Sequence, residues 1–99
     1  VKDEFITRVG VLGQRRYNYL KKHFTTVINV MRMNGTLEQY IKYIDKDAKD
    51  MFDKLVKQLS DSEGINEELK SANEIDWIRS MNSIRNRAEE IVLSEVIYN

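Results

Sequence analysis

Apolar residues recur at steps of three and four along most of this chain, the spacing of helices that bury one face. The longest run, Leu37, Tyr40, Ile41, Ile44, Ala48, Met51, Phe52, Leu55 and Leu59, predicts one helix from about Leu37 to Leu59. Lys42, Lys46, Asp47, Lys49, Asp50, Asp53, Lys54 and Lys57 fill most of its remaining surface. Asn34-Gly35 predicts the stop of whatever precedes it, because glycine takes the left-handed cap conformation at little cost. Thr36 with Gln39 three residues on predicts a capping-box start, and Gly64 predicts the end.

A second long helix is predicted from about Glu74 to Ile97. Asn73 is a favourable N-cap, and Glu74 and Asp76 put negative charge where the helix dipole welcomes it. Ile75, Ile78, Met81, Ile84, Ala88, Ile91 and Val92 make its stripe. Leu93, Val96 and Ile97 broaden the stripe, so this end is expected to be covered by other helices or by a second subunit of a homodimer. Between the long helices, Asn66 to Ala72 reads as one short helix docked by Ile65 and Leu69.

In the first third, Leu12, Tyr19, Leu20, His23, Phe24, Val27, Ile28 and Met31 share a helical face. They fit one helix to Met33 or two helices broken near Thr25-Thr26, either threonine serving as a cap, and the break is the favoured reading. Gly10 and Gly13 weaken any helix before Gln14. Residues 1–9, with Phe5, Ile6 and Val9 among charges, read as a short strand or an extended arm. The expected fold is all-α, a single small helical bundle of four to five helices with two long ones. It is divided into an N-terminal arm at 1–9 and one helical domain at 10–99.

Composition agrees with that reading. A chain of 99 residues, 41% apolar and 32% charged, suits one soluble globular domain. The absence of proline argues against a many-stranded fold. No apolar run approaches the roughly 18 residues that a membrane span needs, and no signal-peptide pattern opens the chain. The first residue is Val1 rather than methionine, so an upstream segment is expected.

The chemistry-bearing residues point away from catalysis. With no cysteine and a lone histidine, His23, thiolate zinc sites and His-pair metal motifs are excluded. His23, on the apolar face, reads as a core or boundary residue. Asp45, Asp47, Asp50 and Asp53 alternate with lysines, so they gain neither the burial nor the like-charged neighbour that raises a general acid's pKa. Val9-Gly10-Val11-Leu12-Gly13 lacks a nucleotide-binding fingerprint, and its glycines are read as a turn into the first helix. Arg85, close to the apolar stripe of its helix, is expected to pair with Glu89 or with a carboxylate of the 37–63 helix. No enzymatic activity, cofactor or metal is expected.

Charge changes the picture more. The net charge is zero, yet Arg8 to Gly35 holds six basic residues and no acidic one, whereas Thr36 to Asp76 holds eleven acidic residues against six lysines. On the helix after Gly13, Gln14, Arg15, Asn18, Lys21, Lys22 and Thr25 form a polar face of the types that contact phosphates and base edges. Tyr17 beside it is a candidate to pack on a sugar or base, and Arg32 extends the patch from the following helix. An ordinary solvated face is the competing explanation of the same residues.

The stretch Asp76-Trp77-Ile78-Arg79-Ser80-Met81-Asn82-Ser83-Ile84-Arg85-Asn86-Arg87-Ala88-Glu89-Glu90-Ile91-Val92-Leu93, running on to Ile97-Tyr98, resembles the C-terminal part of the transposon-encoded protein TnpV family. Tyr19-Leu20-Lys21 with His23, Asn34-Gly35 before Leu37, Ile44-Asp45 and Glu63-Gly64 extend the resemblance over about Gly10 to Tyr98. Relatives often place a proline near position 25, where this chain has Thr25-Thr26. The resemblance implies a small cytoplasmic protein carried on bacterial mobilisable elements, and brings no catalytic residues with it.

The resulting expectation is a non-enzymatic accessory or regulatory protein of a mobile element that binds DNA. Arg15, Arg16, Lys21, Lys22 and Arg32 would meet phosphates, with Gln14 and Asn18 at base edges. The alternative is a protein-interaction module. It would bind a recombinase, a relaxase or a host factor through the acidic 38–76 surface or the apolar C-terminal face at Leu93, Val96 and Ile97.

Overall fold

The computed structural model describes residues 3–99, which form five α-helices: α1 Val11–His23, α2 Thr25–Asn34, α3 Leu37–Glu63, α4 Glu67–Ala72 and α5 Glu74–Val92. A 3-10 turn over Glu4–Arg8 leads into α1, and a π turn over Leu93–Ile97 follows α5. No strand occurs among the described residues. The fold is all-α, as the periodicity predicts, and both long helices are present.

The helix ends follow from local chemistry. Gly35 and Gly64 adopt φ of 73° and 69°, the left-handed conformation that closes α2 and α3. The amide of Thr36 then reaches the Met31 carbonyl at 2.9 Å, and that of Ile65 reaches the Ser60 carbonyl at 2.9 Å. Asn66 and Asn73 cap α4 and α5 by accepting from the amides of Leu69 and Asp76 at 3.0 and 3.2 Å. The expected Thr36–Gln39 capping box does not form, because the Thr36 side chain makes no cap hydrogen bond. Neither threonine caps α2 either. Phe24 occupies that position, and the Thr25 hydroxyl donates back to the Lys21 carbonyl of α1.

α1 packs on α3, and α3 on α5, around two apolar clusters. One joins Phe5, Val9, Tyr17, Leu20, Ile28, Leu37 and Ile41. The other centres on Ala48, Val92 and Ile97, with Leu12, Ile44, Met51, Phe52 and Leu55 against it. Each fully buried Ile or Val contributes about 1.5–3 kcal/mol by leaving water. No residue from Lys49 to Ser83 is fully buried, so the α3–α4–α5 end is a thin hairpin and the molecule is long, 56 × 22 × 17 Å. That thinness explains why Ile75 and Ile78 of the expected α5 stripe are exposed while Ile84, Ala88 and Val92 are covered; Ile91, beside Val92, is exposed as well.

The N-terminal segment differs from the expected strand or extended arm. Phe5 and Val9 are buried while Thr7 between them is exposed, whereas a strand would turn all three to one face; the segment forms the 3-10 turn Glu4–Arg8 instead. Residues 1 and 2 of that arm lie outside the described residues. At the other end the expected helix to Ile97 changes pitch after Val92. Val92 and Ile97, five residues apart, would diverge by about 140° on an α-helix. The wider π turn, closed by the Tyr98 amide on the Leu93 carbonyl at 2.8 Å, lets both point inward. Ile97 is therefore internal, covered by α1 and α3, and the C-terminal apolar residues do not present the free surface considered from sequence.

Candidate nucleic-acid interface

The basic face lies on α1, and α3 fixes where α1 begins. The Asp45 carboxylate accepts the Gly13 amide at 2.9 Å and the Gly10 amide at 3.3 Å, supplying an N-cap from another helix. The approach is close enough to require glycine. A Cβ on Gly10 would stand 2.7 Å from a carboxylate oxygen, and one on Gly13 would collide with a Val9 methyl and stand 2.8 Å from the Asp45 Cβ. The two glycines are thus the seat of a tertiary cap, Gly13 lies inside α1, and Asp45 is not one more solvated carboxylate.

Gln14, Arg15, Arg16 and Arg32 each make contacts within the fold. Gln14 Nε2 donates to the Val9 carbonyl at 2.8 Å. Arg15 pairs with Glu89 of α5 at 3.1 Å. Arg16 donates to the Tyr40 hydroxyl and to the carbonyls of Ile97 and Asn99, both at 2.9 Å, tying the C-terminal segment to α1. Arg32 meets Asp3 through Nη2 at 2.6 Å and through Nε at 3.0 Å, and also reaches Asn29 at 2.9 Å.

Tyr17 completes the Asp3–Arg32 group and is not a surface aromatic. Its ring is buried, edge-on to Phe5, and its hydroxyl donates to Asp3. The Arg32 hydrogen bonds hold the Asp3 carboxyl below its usual range, against the opposing effect of burial. Burial, followed by the hydrogen bond to Asp3, raises the Tyr17 phenol. Asp3 in turn raises the Arg32 guanidinium.

The acid-free run of the sequence is consequently not acid-free in space. Asp3, Glu38 and Glu89 reach back to Arg32, Arg8 and Arg15. A similar exchange occurs on α5. Arg85 is exposed, while Arg87 makes the fork-like pair with Glu63 of α3 at 2.7 and 3.0 Å. This holds the Glu63 carboxyl below its ordinary value.

Asn18, Lys21 and Lys22 remain exposed on one face of α1. Among the described residues no carboxylate forms an ion pair with either lysine. Asn18 stands between two open grooves. The larger, about 780 Å³, includes Arg8, Gln14 and Lys21, with the Lys21 ammonium 5.3 Å from the centre of the Tyr17 ring. The smaller, 330 Å³, is lined by Arg15, Asn18, Tyr19, Lys22, His23 and Tyr98.

The aromatic side of the smaller groove was missed from sequence. Tyr19 lies 5.0 Å from His23, 5.7 Å from Phe24 and 5.3 Å from Tyr98, centre to centre. His23, Phe24 and Tyr98 are exposed, so the histidine is a surface residue and not part of the core. The Tyr19–His23 pair follows from helical spacing, whereas Phe24, five residues from Tyr19, meets it where the chain leaves the helix at φ −135°. Tyr98 arrives only because the π turn and the Arg16 clamp bring the C-terminal segment back to α1.

The geometry defines a small all-α protein with a mixed basic and aromatic face, in which no described helix is long and apolar enough to cross a membrane. The family model described as transposon-encoded protein TnpV matches residues 1–97. The chain belongs to the TnpV family and is a transposon-associated protein. No match was found among curated proteins or among solved structures.

Proposed function

We propose that this protein is a non-enzymatic DNA-binding accessory or regulatory factor of its mobile element, acting in the cytoplasm through the outer face of α1. The observation that carries the reading is Asn18, Lys21 and Lys22 exposed on one helical face, with neither lysine ion-paired among the described residues. Lysine ammonium groups contact phosphates without sequence preference, and an asparagine between them has the donor and acceptor needed at a base edge. Arg16 and Arg32 serve in this reading as the frame that holds α1, because several donors of each already have partners, while Gln14 and Arg15 each engage one.

Titration of labelled duplex DNA by fluorescence anisotropy tests it. The Lys21→Gln/Lys22→Gln variant is expected to bind at least tenfold more weakly, whereas Lys49→Gln/Lys57→Gln on α3 binds as wild type. Equal affinity of the two variants contradicts the proposal.

A protein partner from the element or the host is the second reading, favoured by α2. Val27, Val30 and Met33 are 47%, 48% and 87% exposed there, unusual for an apolar series on one short helix. A Val30→Asp variant that loses a partner while keeping DNA affinity would support it.

A further inference from the structure

Within the DNA-binding reading, on which this inference rests, we propose that the groove between α1 and the C-terminal segment takes unpaired bases of single-stranded DNA. The feature is the lining of that groove by Tyr19, His23 and Tyr98 beside Lys22 and Asn18, with Phe24 packed against Tyr19 at its edge.

Phe24 and Tyr98 are 44% and 45% exposed, so the fold leaves costly aromatic surface in water, and Tyr98 shares its groove with Lys22. The rings around Tyr19 are tilted by 50–56° and none of these pairs is stacked in parallel. The outer rings therefore keep π-surface for another planar group. The groove's volume of 330 Å³ admits a nucleobase, and Lys22 and Asn18 border it where a backbone phosphate would follow. Aromatic platforms combined with nearby cations bind single strands because every base has a π-face, whereas bases in a duplex present only their edges. A purely apolar partner would not use Lys22, and a duplex would not use the rings.

The placement is built rather than incidental. Tyr98 is carried to Tyr19 by the π turn, and Arg16 holds that turn through the Ile97 and Asn99 carbonyls while its guanidinium sits 5.8 Å from the Tyr19 ring. Neither Phe24 nor Tyr98 belongs to the buried clusters, so both can be changed without removing core.

The test compares three labelled probes of equal length by anisotropy: a single strand of thymidines, an abasic strand with the same phosphates, and a duplex. The thymidine strand is expected to bind about tenfold more tightly than the abasic strand. Phe24→Leu and Tyr98→Leu are expected to erase that advantage, and Phe24→Tyr and Tyr98→Phe to keep it, with helicity by circular dichroism unchanged in all four. Equal binding of thymidine and abasic strands overturns the inference, as does an undiminished advantage in both leucine variants. If the duplex still binds in either case, the DNA-binding reading stands without it. If no probe binds, both fall.

Discussion

The Asp45 carboxylate on α3 lies 2.9 Å from the amide nitrogen of Gly13, one turn into α1. This contact joins the helix carrying the candidate interface to the longest helix of the fold, and it uses a charged acceptor on amide donors that the helix itself leaves unpaired. Asp45→Ala is expected to lower stability by about 1–2 kcal/mol, read from the urea midpoint at constant m. Asp45→Asn, which keeps one acceptor, should lose less.

Gly13→Ala separates close approach from helix propensity. On an open helix the change would stabilise by about 1 kcal/mol. Here the new methyl meets Val9, which is buried, and the Asp45 Cβ, which α3 fixes. The expected result is a net loss of about 1–3 kcal/mol in urea unfolding, and a gain would show that the α1–α3 contact can yield.

The Asp3–Arg32–Tyr17 group predicts an acid sensitivity. Asp3 has a lowered pKa in the fold, so the unfolded chain takes up the proton first. Its contribution is complete above about pH 3.9, the ordinary aspartate value, and is lost as pH falls through the folded one. With side-chain exposures of 7% for Asp3 and 23% for Arg32, Arg32→Met should cost about 2–4 kcal/mol at pH 7. Urea unfolding of wild type and Asp3→Asn between pH 7 and 2 should show the gap in stability between them closing only below about pH 4.

Arg16 predicts a local effect. Arg16→Met frees the Ile97 and Asn99 carbonyls and the Tyr40 hydroxyl. Hydrogen exchange at the amides of residues 93–98 should rise well above that in α3, with a global loss of about 1–3 kcal/mol. Uniform exchange across the chain would show that the C-terminal turn holds without the clamp.

The helices were legible because their signals are local: period, glycine stops at Gly35 and Gly64, and asparagine caps at Asn66 and Asn73. The interface was legible only in part, because charge order along a chain does not survive folding. Arg15, Arg16 and Arg32 find their partners 74, 81 and 29 residues away, at distances that no spacing argument reaches. The Asp45 cap hid among lysines for the same reason. Tyr17 fell off the apparent stripe because the stripe was drawn without the Phe5 turn that covers it.

The central claim, that the exposed lysines of α1 meet DNA phosphates, is tested most directly by the salt dependence of duplex binding. Anisotropy titrations from about 50 to 200 mM salt yield the slope of log affinity against log salt, which falls by about 0.9 for each phosphate contact. Wild type should bind with a steep slope, and Lys21→Gln/Lys22→Gln should be shallower by about 2. A slope unchanged by the double substitution, or no binding at the lowest salt, would contradict the account.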